Sequence, residues 1–443
     1  MLKFLKYVFA TLTGIFLFFI LSFIFILILV SIATPDREQQ LAERPVLRIT
    51  LNKTITERET DDFLAQFTSP LTSREAGTIG LIELRKSIKK AAKNNNIKGI
   101  LLDIRRFNAG MAQIEELRDE LILFKESGKF LYAYSDNYTQ KGYYLASIAD
   151  KIFLPPNGDL DFSGFDSEVV FFTGMLEKLN LKPEIFRVGE FKSAVETFTN
   201  RQMSEESRRQ TEELLNSVFA DFLHKVSEAR GIEEQMLRNI ADSLLIRKPE
   251  DAKLHNLITH MAYFDSLETI IRQDVEMDKD KKIEYSRYTD LYDLFERNGN
   301  KRKVAVVVME GNIEQGAGRR NVIGSESFTE EIRKARLDDD VKAVVIRINS
   351  PGGSALASDL IWREIEMTNR VKPVIASMSD VAASGGYYIA AACDTIVAHP
   401  STITGSIGVF GLLINAKEFL NDKLGITTDR VKTSPFSDIG SFT

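Results

Sequence analysis

Hydrophobic residues in this chain alternate between short runs typical of strands and longer stretches with helical spacing. Arg48–Leu51 and Val304–Met309 are two such runs, and both predict strands. The helix predicted after the first run carries Leu81, Leu84 and Ile88 on one face. Because strands and helices follow one another in turn, the pattern predicts an α/β fold with largely parallel sheets and right-handed crossovers.

The same pattern occurs twice in the sequence. Ile97–Ile104 aligns with Val341–Ile348, and the same offset of 244 residues brings Gly142 onto Gly386. A repeat of this length indicates two copies of one domain. We therefore assign residues 46–300 to a first copy and residues 301–443 to a second copy.

The second copy is shorter than the first. After the repeated part, the first copy continues through a helical segment from about Ser204 to Phe264, whereas the sequence of the second copy stops at Thr443. We expect the second domain to be truncated at its C-terminus.

An uncharged segment near the N-terminus predicts a transmembrane helix. Tyr7–Ala33 contains no charged residue, and the 20 residues from Gly14 onward are almost all apolar, which is enough to span a bilayer core. A cleaved secretory signal is the alternative, but its apolar core is typically shorter. Lys3 and Lys6 precede the segment, so the basic bias keeps the N-terminus in the cytoplasm. We assign residues 1–45 to a cytoplasmic stub and a membrane anchor.

Composition excludes several classes of function. The net charge is −6, which makes nucleic acid an unsuitable partner. The chain has one cysteine, Cys393, so an internal disulfide and a cysteine-based zinc site are excluded. Its four histidines show no ligand spacing, and we expect neither a metal nor another cofactor.

Ser384 lies in a Ser-Gly-Gly turn between a predicted strand and a predicted helix. The free amides at a helix N-terminus, among them that of Gly385, favour negative charge on a substrate oxygen. An N-cap serine is the alternative interpretation. Gln140 occupies the matching position of the first copy, so the scaffold does not require a serine there.

A second glycine turn follows the strand that ends at Ile348. Gly352 and Gly353 let the backbone approach a ligand and turn its amides towards it, as an oxyanion hole requires. A tight turn alone would explain the glycines equally well. The first copy lacks both this turn and the serine, which suggests that the two act together.

A serine nucleophile needs a base, and the only histidine of the second copy, His399, is followed by proline at a strand end. A lysine can serve if desolvation lowers its pKa. Lys192 of the first copy lies among small and apolar residues, and Ser437 replaces it in the second copy. By residue type alone, a lysine is usually a solvated surface group.

Four motifs in combination resemble a known family, the tandem form of signal peptide peptidase A, also called protease IV. The motifs are Asn349–Ser354, Val381–Tyr388, Thr402–Val409 and Val188–Ala194. The resemblance implies tandem crotonase/Clp-protease-like domains after an N-terminal transmembrane helix.

The resemblance also implies roles for single residues. It makes Ser384 the nucleophile and Lys192 the general base, contributed by the other tandem domain, while Ser406 holds the lysine amine. Family members form ring-like oligomers, so the resemblance implies a homo-oligomer, with a tetramer as the expected size. They lie in the bacterial inner membrane, with a single pass and with the catalytic domains on the periplasmic side.

The sequence therefore predicts a membrane-anchored serine endopeptidase that degrades cleaved signal peptides and other apolar peptides. Two alternatives stay open. A crotonase-like enzyme that processes acyl-CoA would use the same paired amides. A non-catalytic membrane scaffold of the same fold would leave Lys192 pointing to solvent.

Overall fold

The computed structural model of the chain describes residues 2–33, 44–59, 77–292, 302–319 and 321–443. Its helices are α1 (Leu2–Ala33), α2 (Leu81–Lys93), α3 (Met111–Lys125), α4 (Gln140–Ala146), α5 (Thr173–Lys178), α6 (Glu196–Thr199), α7 (Glu205–Arg230), α8 (Glu234–Asp242), α9 (Pro249–Leu254), α10 (Phe264–Asp274), α11 (Tyr288–Tyr292), α12 (Ser325–Leu337), α13 (Ala355–Asn369) and α14 (Gly385–Ala390). Ser193–Val195 form a 3₁₀ turn, and Phe419–Lys423 form a π-helical turn.

The strands of the first copy are β1 (Val46–Leu51), β2 (Ile55–Thr56), β3 (Ile79–Gly80), β4 (Gly99–Ile104), β5 (Phe130–Tyr134), β6 (Asn137–Tyr138), β7 (Lys151–Leu154), β8 (Asp159–Leu160), β9 (Lys182–Arg187), β10 (His260–Met261) and β11 (Tyr285–Arg287). Those of the second copy are β12 (Lys303–Glu310), β13 (Asn312–Glu314), β14 (Val322–Gly324), β15 (Val341–Ser350), β16 (Val374–Ala383), β17 (Thr395–Val397), β18 (Ile403–Gly405) and β19 (Phe410–Asn415).

The first copy contains a six-stranded parallel sheet in the order β10-β7-β5-β4-β1-β11. Its central strand β4 is buried along its whole length, as expected for a parallel strand whose two faces are covered by helices. The predicted α/β class with a parallel sheet is confirmed, and the predicted strand at Arg48–Leu51 lies within β1.

The second copy contains a parallel sheet in the order β12-β15-β16-β17, and β18 pairs with the end of β16. β15 and β16 are neighbours, and near their carboxyl ends Ser350 pairs with Ala382. The segments that follow these two strands therefore begin side by side at one edge of the sheet.

Aromatic side chains close the core of the first copy beneath α7. Phe222 is fully buried, and its ring centroid lies 5.5 Å from that of Tyr144 and 5.4 Å from that of Phe162. Rings of this size bury large apolar areas and stabilise the packing of a helix against the layer beneath it. The long helical segment predicted after the first repeat is thus part of the first copy's core.

A two-stranded antiparallel sheet joins the two copies. β9 of the first copy pairs with β19 of the second, from Arg187 opposite Phe410 to Lys182 opposite Asn415. The amide of Val188 donates to the carbonyl of Val409, and bonded pairs alternate along an antiparallel ladder. Pro183 therefore falls at a non-bonded position, where its missing N–H removes no ladder bond.

A second contact between the copies lies at the N-terminus of α3. The amide of Gln113 donates to Asp380 Oδ1 over 2.9 Å, so a carboxylate of the second copy caps a helix of the first. A Cβ at Gly110 would lie 1.9 Å from Asp380 Cγ, so only glycine fits there. Asp380 lies on β16, four residues before Ser384.

The predicted membrane span corresponds to α1. Within the described part of the chain, no helix combines the length and apolar character needed to cross a membrane. The predicted span, Tyr7–Ala33, includes residues 26–33, and the side chains of these residues are not among those that the structure describes.

Candidate active site

Ser384 stands at the junction of β16 and α14 in a constrained backbone conformation. Its φ is +51°, which is uncommon for a residue other than glycine. Its amide donates to the carbonyl of Gly405, and its carbonyl accepts from the amide of Tyr388, both over 2.9 Å. Ser384 occupies the N-cap position of α14, but its side chain makes no capping hydrogen bond. These backbone contacts hold the strained conformation in place.

The two glycines after Ser384 are required by close packing. A Cβ at Gly385 would lie 2.4 Å from Ser358 Oγ, and one at Gly386 would lie 2.8 Å from the carbonyl oxygen of Ser350. The Ser-Gly-Gly sequence thus lets α14 begin directly against the end of β15.

Lys192 reaches this junction from the first copy. It follows β9 after a turn at Gly189, whose φ of +99° favours glycine. Lys192 is only 5% exposed. Its Nζ lies 3.2 Å from Ser384 Oγ, so the structure brings together the two residues predicted from different repeats.

Ser406 holds the lysine amine from a second side. Lys192 Nζ donates to the carbonyl oxygen of Ser406 over 2.6 Å and lies 3.0 Å from Ser406 Oγ. Ser406 follows β18 with a φ of +47°. Close by, a Cβ at Gly408 would lie 2.5 Å from the carbonyl oxygen of Val188, so glycine lets the lysine segment pass.

Burial lowers the pKa of Lys192 because the desolvated site disfavours the charged ammonium. Among the ion pairs of the described residues, none includes Lys192. Its polar contacts are a carbonyl and two hydroxyls, which do not add a compensating negative charge. The arrangement therefore makes the neutral amine, the form that can accept a proton, easier to reach than it is for a solvated lysine.

The three predicted oxyanion-hole glycines lie around Ser384, but they differ in whether the backbone amide already donates a hydrogen bond within the protein. The amide of Gly352 donates to Ser350 Oγ over 3.1 Å, so it is already engaged. Gly353 forms a parallel β-bridge with Ile313. The hydrogen bonds of this bridge are made by the carbonyl of Gly352 and the amide of Ser354, so they do not use the amide of Gly353. Gly385 opens α14, where an amide has no acceptor within its own helix.

The turn at Gly352 is packed against the serine. A Cβ at Gly352 would lie 2.6 Å from the amide nitrogen of Gly385 and 2.8 Å from Ser384 Cβ. The two glycine turns predicted to act together are therefore in direct contact.

The matching position of the first copy is closed. Gln140 Oε1 accepts from the amide of Gly164 over 2.8 Å, and Gln140 Nε2 donates to the carbonyl of the same residue. This glycine corresponds to Gly408 of the second copy at the offset of 244. The first copy therefore has neither a serine nor an open position at this point.

Two residues near the site were not predicted from the sequence. Gly408 leaves room for the lysine segment, and Asp380 fixes β16 against α3. Asp136 matches Asp380 in the first copy, so a carboxylate shared by both repeats was the available signal.

Comparison with known proteins assigns the chain to a family. The profile of Peptidase family S49 matches residues 123–278 and 366–443, which together exceed half of the chain. Serine protease SPPA, chloroplastic, of Arabidopsis thaliana is 34% identical over 382 residues, covering 84% of this chain and 56% of the relative.

Two bacterial relatives are similar at the same level. Protease 4 of Salmonella typhi is 37% identical over 369 residues, covering 81% of this chain and 59% of the relative. Protease 4 of Haemophilus influenzae is 37% identical over 372 residues, covering 80% and 60% respectively. The chain thus spans between 56% and 60% of the length of these relatives. The resemblance predicted from the motifs is confirmed, and the chain belongs to peptidase family S49.

Proposed function

We propose that the chain is a membrane-anchored serine endopeptidase with a Ser384/Lys192 dyad. The observation that carries the proposal is the 3.2 Å separation between Ser384 Oγ and a buried lysine amine that has no carboxylate partner among the described residues. A hydroxyl and a neutral amine at this distance can exchange a proton directly. The burial of Lys192 argues against the non-catalytic scaffold, which would leave this side chain in solvent.

In the proposed mechanism, Ser384 Oγ attacks the carbonyl carbon of a peptide bond while Lys192 Nζ accepts the hydroxyl proton. The amides of Gly353 and Gly385 donate to the oxyanion that forms. The C–N bond then breaks, and the lysine transfers its proton to the leaving amine. Water attacks the acyl-enzyme, gives a proton to Lys192, and Ser384 regains its hydrogen as its ester bond breaks.

The surface around the dyad supports apolar peptides as substrates, among them cleaved signal peptides. Phe186, Phe191, Ile407 and Val409 belong to the segments that flank Lys192 and Ser406, and all four are more than half exposed. Grouped exposed apolar side chains mark binding surfaces more often than scattered ones do.

The proposed location is the bacterial inner membrane, with a single pass and with both copies on the periplasmic side. The support comes from the sequence, in which Tyr7–Ala33 carries no charge and follows Lys3 and Lys6. The proposed chemistry needs no cofactor.

The proposed assembly is a ring-like homo-oligomer, with a tetramer as the expected size. Two largely exposed segments support it, residues 166–171 in the first copy and 427–432 in the second, and neither belongs to a strand of the described sheets. Residues 166–171 match β19 at the offset of 244, and residues 427–432 match β9 at an offset of 245. The π-helical turn Phe419–Lys423 accommodates the extra residue. Asn180 and Gly425, which match at the new offset, share a positive φ.

The β9–β19 register, transferred to these two segments, brings opposite charges together. Lys432 of one chain would face Asp166 of the next, and Arg430 would face Glu168. Opposite charges directly across an antiparallel pair stabilise it. A contact between unlike surfaces of identical chains closes into a ring when the rotation allows.

Replacement of the nucleophile tests the proposed function. We expect Ser384→Ala to lower hydrolysis of a fluorogenic apolar peptide by ~10³-fold or more, because the proposed acyl-enzyme forms on Ser384 Oγ. The melting temperature should stay within about 2 °C of the parent, since among the described residues the Ser384 hydroxyl is hydrogen-bonded only to Lys192 and alanine keeps the Cβ that packs against Gly352. Ser437→Ala, at the exposed position of the second copy that matches Lys192, is the control and should keep full activity. Normal turnover by folded Ser384→Ala protein would eliminate this residue as the nucleophile.

The pH dependence of catalysis tests the base. Only the neutral amine accepts the serine proton, so kcat/KM should rise with pH through the pKa of Lys192. Because burial lowers that pKa, the midpoint should lie below the ordinary lysine value of ~10.4. Lys192→Arg, which stays protonated, should be inactive across the whole range. A midpoint at the ordinary lysine value, or activity in the arginine variant, would disprove the role.

Charge reversal tests the assembly. We expect Arg430→Glu/Lys432→Glu to reduce the mass measured by light scattering, because both proposed cross-strand pairs become repulsive. The same change also breaks contacts of Arg430 and Lys432 with Asp438 inside the chain. Adding Asp166→Lys/Glu168→Lys restores only the pairs between chains, so it should recover the parent mass. A monomeric parent chain, or a reversed variant of unchanged mass, would rule out this interface.

A further inference from the structure

One fully buried carboxylate of the first copy bonds to both strands that lead into the candidate site. Glu57 follows β2 and has 0% exposure. Its Oε1 accepts from Ser379 Oγ over 2.5 Å and from Gln113 Nε2 over 2.9 Å. Its Oε2 accepts from Arg347 Nε over 2.7 Å. Two of these three donors belong to the second copy.

The two donors of the second copy hold equivalent places relative to the site. Arg347 lies on β15, five residues before Gly352, and Ser379 lies on β16, five residues before Ser384. Arg347 Nη1 also reaches Glu116 of the first copy over 2.6 Å. Glu57 therefore links β15, which leads to the Gly352 turn, to β16, which leads to Ser384. Glu57 itself belongs to the first copy, which also supplies Lys192.

The first copy lacks this arrangement at the matching positions. Asp103 occupies the position of Arg347 and pairs with Arg48 over 2.6 Å, within its own repeat. Ser135 occupies the position of Ser379, and its Oγ donates to the carbonyl of Asn137. The fold itself does not require a carboxylate from the other repeat, because one copy forms its sheet without one.

We propose that Glu57 is a positioning residue that aligns Ser384 and the Gly352 turn with Lys192. This role rests on the proposed peptidase function. A buried carboxylate that has charge-assisted partners is costly to displace, so its three hydrogen bonds define the relative position of the strands that bear their donors. Since misplacement of reacting groups by ~1 Å can cost ~10²-fold in rate, the effect should appear in kcat.

The experiment compares Glu57→Gln and Ser379→Ala with the parent chain. Glu57→Gln keeps the shape but removes the charge that pairs with Arg347, and in either orientation of the amide one of the two accepting oxygens is replaced by a donating NH₂. We expect kcat to fall by ~10–100-fold with KM within about twofold. Ser379→Ala removes a single hydrogen bond from a small side chain, so it should fold, and we expect a ~3–10-fold loss in kcat. Asp103→Asn is the matched control, because it neutralises a similarly buried carboxylate that is paired with an arginine within the first copy, and it should lower stability without lowering kcat.

Crystal structures of the same variants give a readout that does not depend on activity. In Glu57→Gln, the distance between Ser384 Oγ and Lys192 Nζ should exceed hydrogen-bond reach, about 3.5 Å. An active parent whose folded Glu57→Gln and Ser379→Ala variants keep both kcat and this distance would overturn the positioning role. An inactive parent with the distance changed in Glu57→Gln would instead refute the peptidase function and leave the alignment itself demonstrated.

Discussion

The antiparallel pairing of β9 with β19 is the constraint on which the candidate site depends. It fixes residues 182–187 of the first copy against residues 410–415 of the second, one residue opposite one residue. Lys192 follows this ladder by only five residues, including the turn at Gly189, so the position of the ladder limits where its amine can lie. A shift of one residue would turn every side chain of β9 to the other face and would remove the lysine from Ser384.

Burial of Lys192 gives its amine a property that the proposed reaction needs, the ability to accept a proton. In solvent a lysine amine is charged at neutral pH and cannot accept a proton, whereas the enclosed position beside Ser406 lowers its pKa. His399, the only histidine of the second copy, has a different place. Its Nδ1 lies 3.3 Å from Glu115 of α3, and this carboxylate raises its pKa. The histidine thus belongs to the contact between copies and not to the site.

Much of the fold and of the site could be predicted because they follow from local sequence patterns and from a comparison of the two internal repeats. The strand runs, the glycine turns and the difference between Ser384 and Gln140 are visible without coordinates. Contacts between segments that are distant in the sequence could not be predicted in this way. Glu57 looks like any solvated glutamate in the sequence, since its partners Arg347 and Ser379 lie about 300 residues away. Likewise, only the structure shows that the amide of Gly352 is engaged by Ser350.

The central claim is that one chain supplies both members of the dyad, and co-expression of two differently tagged variants tests it most directly. Cells would produce a Ser384→Ala chain and a Lys192→Ala chain together, and purification through both tags in succession would isolate the mixed assembly. Each chain then lacks one member of its own pair, although every residue is present in the assembly. The account predicts that the mixed assembly does not hydrolyse peptides above the level of either variant alone. Recovery of activity in it would show that Lys192 of one chain serves Ser384 of another, and would contradict the arrangement described for β9 and β19.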